Sequence, residues 1–199
     1  MVKIAQRKIA KMSARTRQRA WSTRLPSAQQ WVRSWLQTPT SLTYRLHTTY
    51  GVVTVQRWQQ GWVCVNTDEA ICLGLPRRTR VWVRDVGLWA GGQLRVVAHT
   101  VVMGRQAQRM VARLGGRALG TVLFAQAQIQ REPFTFAHLA WSHPLQRQLC
   151  QTLLAPRASR WWARRSVFAW QGGRILLTEV FLPAMCTAVP AGIFGQGDE

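Results

Sequence analysis

"RVWVRDVGLWAGGQLRVVAHTVV", residues 80–102, is two runs of β-branched and aromatic residues joined through Gly91–Gly92. Valine, tryptophan and threonine suit a pleated strand, and paired glycines let the backbone reverse within a few residues. The stretch predicts an antiparallel hairpin, 80–89 against 94–102. "WWARRSVFAWQGGRILLTEVFLP" (161–183) has the same pattern and predicts a second, 163–170 against 174–182 across "QGG". Further strand-like runs lie in "GVVTVQRW", "WVCV" and "QIQREPFTFA". Helical spacing is confined to two places. After a cap at Ser27, the residues Trp31, Val32, Trp35 and Leu36 form one apolar stripe over 28–37, which Pro39 ends. In "GRQAQRMVARLGG" (104–116), Met110, Val111 and Leu114 share a face and Gly115–Gly116 stops the helix. The sum is an α+β domain: one antiparallel sheet of about six strands, covered by a few helices.

The rest of the chain bounds its setting. At 199 residues with 47% hydrophobic content, it holds one well-cored domain. Residues 1–25 are expected to be a basic arm, since 1–24 contain eight Lys or Arg and no acid; their lack of acids also suits a transit peptide. The domain is expected over 26–185, followed by a flexible tail over 186–199. Cys64, Cys72, Cys150 and Cys186 form no CxxC pair, and no apolar run reaches the roughly 18 residues of a membrane span. A cytoplasmic location fits. His47, His138 and His143 share no metal-ligand spacing and are expected at the surface. With 27 Lys and Arg against 7 Asp and Glu, the net charge is +20. Such a field favours an anionic partner: nucleic acid, anionic lipid or a small polyanion.

Two charges sit where charge is costly. Alternation puts Arg84 on one face of its strand with Trp82, Val86 and Leu88, and Glu179 on one face of its own with Ile175, Leu177 and Phe181. A guanidinium keeps its charge when buried and needs an anionic partner. Either the two meet as a structural ion pair, or they stand on adjacent strands at opposite ends of a pocket for an anionic ligand. Arg164 and Arg165 point to opposite faces, so at most one reaches such a pocket; both are expected to be solvated or paired.

Four segments in order, "SLTYRL" (41–46), 80–102, "LGGRALGTVLF" (114–124) and 161–183, resemble the successive motifs of the bacterial chorismate pyruvate-lyase family. The resemblance spans about 40–185. It implies an antiparallel sheet with helical flaps over a buried site, and conversion of chorismate to 4-hydroxybenzoate and pyruvate, the first step of ubiquinone biosynthesis, without cofactor or metal. By the same resemblance, Arg84 in "WVRD" binds the ring carboxylate and Glu179 in "LLTEVFLP" contacts the ring hydroxyl. Leu119 in "ALG" and Leu42 in "SLT" contribute contacts through the main chain. His99 in "AHTVV" stands where members often carry arginine; it either helps hold the enolpyruvyl carboxylate or is a hydrogen-bonded strand histidine outside the site. Ala118 replaces a usual proline and should loosen that turn.

Two rival functions remain. The same fold serves as the effector-sensing domain of bacterial transcription regulators, so the chain could bind an aromatic acid without turning it over. The charge and the Trp–Arg juxtaposition in "SRWWARR" would suit a nucleic-acid binder, but no established motif appears, and no specific nucleic-acid partner is expected. A monomer with weak affinity for an anionic membrane surface completes the expectation.

Overall fold

A computed structural model describes residues 21–25, 28, 30–123, 128–170 and 172–186. Ser27 and nearly all of the expected arm and tail lie outside them. Trp21 and Ser22 do not belong to an arm: Trp21 is buried, and Ser22 exchanges two backbone hydrogen bonds with Phe136, at 2.9 and 2.8 Å.

Both predicted hairpins are present. β2 (Arg80–Ala90) pairs with β3 (Gln93–Met103), and β6 (Trp161–Trp170) with β7 (Gly173–Phe181). Gly91 and Gly92 have φ of 57° and 71°, the left-handed pair that a two-residue turn matched to strand twist requires. β1 (Val53–Cys64) runs unbroken through both "GVVTVQRW" and "WVCV", with a bulge between Arg57 and Gln59. "QIQREPFTFA" divides at Glu132–Pro133, because proline cannot donate to a ladder, into β4 (Gln130–Arg131) and β5 (Thr135–Leu139). The result is one antiparallel sheet of seven strands in the order β1-β2-β3-β7-β6-β4, with β5 also paired to β6. Arg84 and Glu179 are therefore not on adjacent strands, because β3 runs between theirs.

The predicted helices are α1 (Gln30–Leu36) and α4 (Arg105–Ala112). Four more helices lie where no helix was expected: α2 (Leu42–Tyr50), α3 (Thr67–Leu73), α5 (Leu119–Leu123) and α6 (Pro144–Thr152). Ser41 Oγ caps α2 by accepting from Tyr44 N, and a reciprocal capping box of Asn66 and Glu69 starts α3. Pro144 opens the first turn of α6, where its missing N–H costs nothing.

The helices cover both faces of the sheet. On the front, Trp35, Leu36 and Leu46 of α1 and α2 pack over Val86, Leu88, Val96 and Phe181. Ala107 and Val111 of α4, with Leu119 and Leu123 of α5, meet Val102, Phe168 and Ile175 beside them. On the rear, α3 packs on Val83, Val101 and Leu176, and α6 on Val97, Ala163 and Val180.

Candidate active site

The front layer leaves a gap over the middle of the sheet. Two rows of side chains cross its floor: Arg84, Thr100, Leu177 and Ser166 are successive cross-strand partners, and Val86, Ala98, Glu179 and Arg164 form the next row. All eight line one cavity, roofed by Leu42 and Thr43 of α2 and by Leu119, Gly120 and Leu123 of α5. Arg131 and Phe134 close one side. The cavity encloses ≈ 610 Å³ with its open mouth included. The lining is mainly aliphatic and aromatic, with a few charged groups in it, the composition of a small-molecule site.

Arg84 is 1% exposed. Its Nη2 donates to the carbonyls of Gly115 and Arg117, each at 2.9 Å, and its Nε has no partner. Among the described residues no carboxylate pairs with it. Burial first, and then the like charge of Arg57, push its pKa down, although a guanidinium remains charged near neutrality. The carbonyls it holds lie just before α5, so Arg84 also positions the segment that carries Ala118 and Leu119.

Glu179 does not stand alone, as its apolar strand neighbours suggested. Its cross-strand partner Arg164, 2% exposed, donates from Nε to Glu179 Oε2 at 2.5 Å. Arg164 Nη1 faces the carbonyls of Trp35, Leu36 and Thr38 at 3.4, 3.3 and 2.7 Å, which ties the end of α1 to the cavity wall. Glu179 Oε1 has no hydrogen bond among the described residues. Two strand spacings of about 4.8 Å and two residues of about 3.4 Å set the Cα atoms of Arg84 and Glu179 about 12 Å apart, at opposite ends of the cavity. They form no ion pair with each other.

His99 lies outside the cavity, contrary to the role of a substrate contact. Ala98 and Thr100 line it, and strand alternation turns His99 to the rear face. There its Nδ1 lies 2.5 Å from Asp85 Oδ1, while Nε2 lies 2.9 Å from Glu69 Oε1, near enough to pair although off the line of a hydrogen bond. Burial alone would lower the His99 pKa; the carboxylates of Glu69 and Asp85 outweigh it and hold the pKa well above 6.5. His143 is likewise buried rather than at the surface. It contacts Asp68, which also accepts from Trp21 Nε1 at 3.1 Å and from Arg165 Nη1 at 2.6 Å. Burial works to raise the Asp68 pKa, but the His143 hydrogen bond and the Arg165 charge prevail and lower it. Of the two adjacent arginines, then, Arg164 faces the cavity and Arg165 the rear network.

A family model described as "Chorismate lyase" matches residues 14–190. The chain belongs to the chorismate lyase family. Two relatives named "Probable chorismate pyruvate-lyase" illustrate the breadth of the match. That of Thiobacillus denitrificans is 38% identical over 178 residues, 85% of this chain and 92% of its own length. That of Nitrosomonas europaea is 44% identical over 121 residues, 59% and 67% of the two chains. The fold reaches further than the family: the PhnF C-terminal domain superposes with a TM-score of 0.51 at 12% identity, over 68% of this chain and 86% of that one.

Of the residues that the chorismate lyase resemblance singled out, Arg84, Glu179, Leu42 and Leu119 line the cavity. Sequence reasoning missed four further polar contributors, Thr43, Thr100, Ser166 and Arg131. Ser166 could have been found as the cross-strand neighbour of Leu177; Thr100 could not, because a register shift beyond the Gly91–Gly92 turn is what brings it opposite Arg84. Nothing local to "REPF" marks Arg131.

Proposed function

We propose that this protein is a chorismate pyruvate-lyase, cleaving chorismate to 4-hydroxybenzoate and pyruvate, with Arg84 and Glu179 as the residues that engage the ring. The observation that carries the reading is Arg84: a guanidinium 1% exposed, in an apolar cavity, with no carboxylate partner among the described residues. Such a charge is an incomplete ion pair, and a ligand carboxylate completes it.

The chemistry asks little of the protein. In chorismate the enolpyruvyl ether C–O bond breaks, the ring loses a proton and becomes aromatic, and the released enolpyruvate becomes pyruvate. No nucleophile is required; the ring must be oriented and kept from water. Arg84 fixes the ring carboxylate with charge-assisted hydrogen bonds. Glu179, held by Arg164 through Oε2, presents Oε1 at the hydroxyl end, where it can accept from the ring oxygen or take part in moving its proton. Leu42 and Leu119, on the two roofing helices, cover the ring.

The wider setting belongs to the same proposal. Residues 26–185 carry the activity, in the cytoplasm, as a monomer supplying the ring of ubiquinone. The net charge of +20 draws in a dianionic substrate and favours weak contact with an anionic membrane surface. No described helix is long and apolar enough to cross a membrane.

Incubation of the purified chain with chorismate tests the activity. Equimolar 4-hydroxybenzoate and pyruvate are expected. Saturable binding of 4-hydroxybenzoate with no pyruvate release would instead make the chain an effector-binding domain of the same fold.

A further inference from the structure

Resting on that reading, the cavity's charges say where the second carboxylate of the substrate goes. Among the described residues, three guanidinia, Arg84, Arg131 and Arg164, and one carboxylate, Glu179, line the cavity, so these side chains carry 3 − 1 = +2. Chorismate carries two carboxylates and 4-hydroxybenzoate one. The match of +2 to a dianion means that each ligand carboxylate needs its own cation, because a second anion beside a single neutralised arginine would be buried without compensation.

Arg84 takes the ring carboxylate. Arg164 is matched by Glu179, with which it shares a short ion pair, and its Nη1 is turned to three backbone carbonyls at the end of α1. Arg131 is the third cation. It sits on β4 opposite Phe168, half-buried in the cavity wall, with its guanidinium 4.3 Å from the centre of the Phe134 ring. The Arg164 guanidinium lies 4.5 Å from the same ring, so the two cations flank one aromatic side chain on the Glu179 side of the cavity. The hydrogen bond from Arg131 Nη1 to the Pro39 carbonyl, at 3.3 Å, is long and gives way readily to a charged acceptor. Burial and then the charge of Arg164 act against protonation of Arg131 and outweigh the opposing pull of Glu179, so an added anion is favoured there.

We propose that Arg131 binds the enolpyruvyl carboxylate of chorismate, and so distinguishes the dianionic substrate from the monoanionic aromatic product. The ring carboxylate then lies at Arg84, and the side chain that leaves as pyruvate lies toward β4. Arg131 has no role in holding 4-hydroxybenzoate once pyruvate has gone.

The test compares Arg131→Gln and Arg131→Lys with the parent chain, measuring KM and kcat for chorismate and Kd for 4-hydroxybenzoate by tryptophan fluorescence. Removing one charge-assisted hydrogen bond predicts a rise of about 10- to 100-fold in KM for Arg131→Gln, with Kd for 4-hydroxybenzoate changed by less than about 3-fold. Arg131→Lys should recover part of the KM, since it keeps the charge and gives up only the planar fork. Equal weakening toward both ligands, or an unchanged KM in a variant that melts like the parent, overturns the assignment. If the parent binds chorismate without turning it over, the lyase reading fails by itself, and Kd for chorismate in place of KM still decides the role of Arg131.

Discussion

Replacing Arg84 by methionine separates a residue kept for binding from one kept for folding. The folded protein carries this guanidinium 1% exposed with, among the described residues, only two carbonyl acceptors, both on one nitrogen, and with Nε unpartnered. Burying a charge without a counter-ion costs several kcal/mol, and its lowered pKa has the same origin. Methionine removes that cost and fills most of the volume. The stranded carbonyls belong to Gly115 and Arg117, both exposed, so water can take the place of the guanidinium as their donor. Stability should therefore change little, with Tm within about 4 °C of the parent or higher, since 1 kcal/mol shifts a domain of this size by about 2 to 4 °C. Catalysis should suffer severely. Two charge-assisted hydrogen bonds to a carboxylate contribute about 1.5 to 3 kcal/mol each, so kcat/KM for chorismate should fall by about 10²- to 10⁴-fold. Pyruvate release and a thermal melt on the same preparation measure both quantities. A Tm that collapses together with activity, or full activity without Arg84, would refute the reasoning.

Arg164 should behave in the opposite way. Arg164→Met leaves Glu179 buried and unpaired and should cost about 3 to 5 kcal/mol, or about 6 to 20 °C in Tm, most of which Glu179→Leu added to it restores. Glu179→Gln should lower kcat for chorismate more than it weakens 4-hydroxybenzoate binding; equal losses in steady-state kinetics and titration would count against a chemical role. His99 should matter to stability alone. His99→Gln leaves Asp85 and Glu69 facing each other without a cation, costing about 3 to 5 kcal/mol at neutral pH, while kcat/KM below the melting range stays within about 2-fold. The sign of its pH dependence follows from a folded pKa raised above 6.5: the contribution of His99 is complete below about pH 6.5 and is lost as pH rises through the folded value. Melts of parent and variant should thus converge toward alkaline pH, and a gap that instead widens there would contradict the rear-face assignment.

The sheet was legible in the sequence because its two long hairpins carry dense β-branched and aromatic runs around glycine pairs. The other helices were not: α5 spans only 5 residues, too few for a helical stripe to emerge, and α3 opens on the acidic pair Asp68–Glu69, which breaks its apolar run. Their signals were local instead: the capping box at Asn66–Glu69, Ser41 before α2, and proline at the start of α6. One residue decides between the two readings of His99. A strict two-residue turn at Gly91–Gly92 sets Ala90 opposite Gln93 and would set Arg84 opposite His99, on one face. The register shift between Leu88 and Trp89 inserts Arg95, so Arg84 meets Thr100 and His99 meets Asp85. Arg164 went unassigned because its role depends on the β6–β7 register and on carbonyls of α1 more than a hundred residues away, neither of which a local pattern encodes.

In the proposed complex one aromatic acid spans the cavity from Arg84 to Glu179. A crystal structure of the protein with 4-hydroxybenzoate tests it most directly. The carboxylate is expected on the Arg84 guanidinium and the phenolic oxygen within hydrogen-bond distance of Glu179 Oε1, beneath Leu42 and Leu119. A ligand bound elsewhere, or reversed with its carboxylate toward β4 and Arg131, would contradict it.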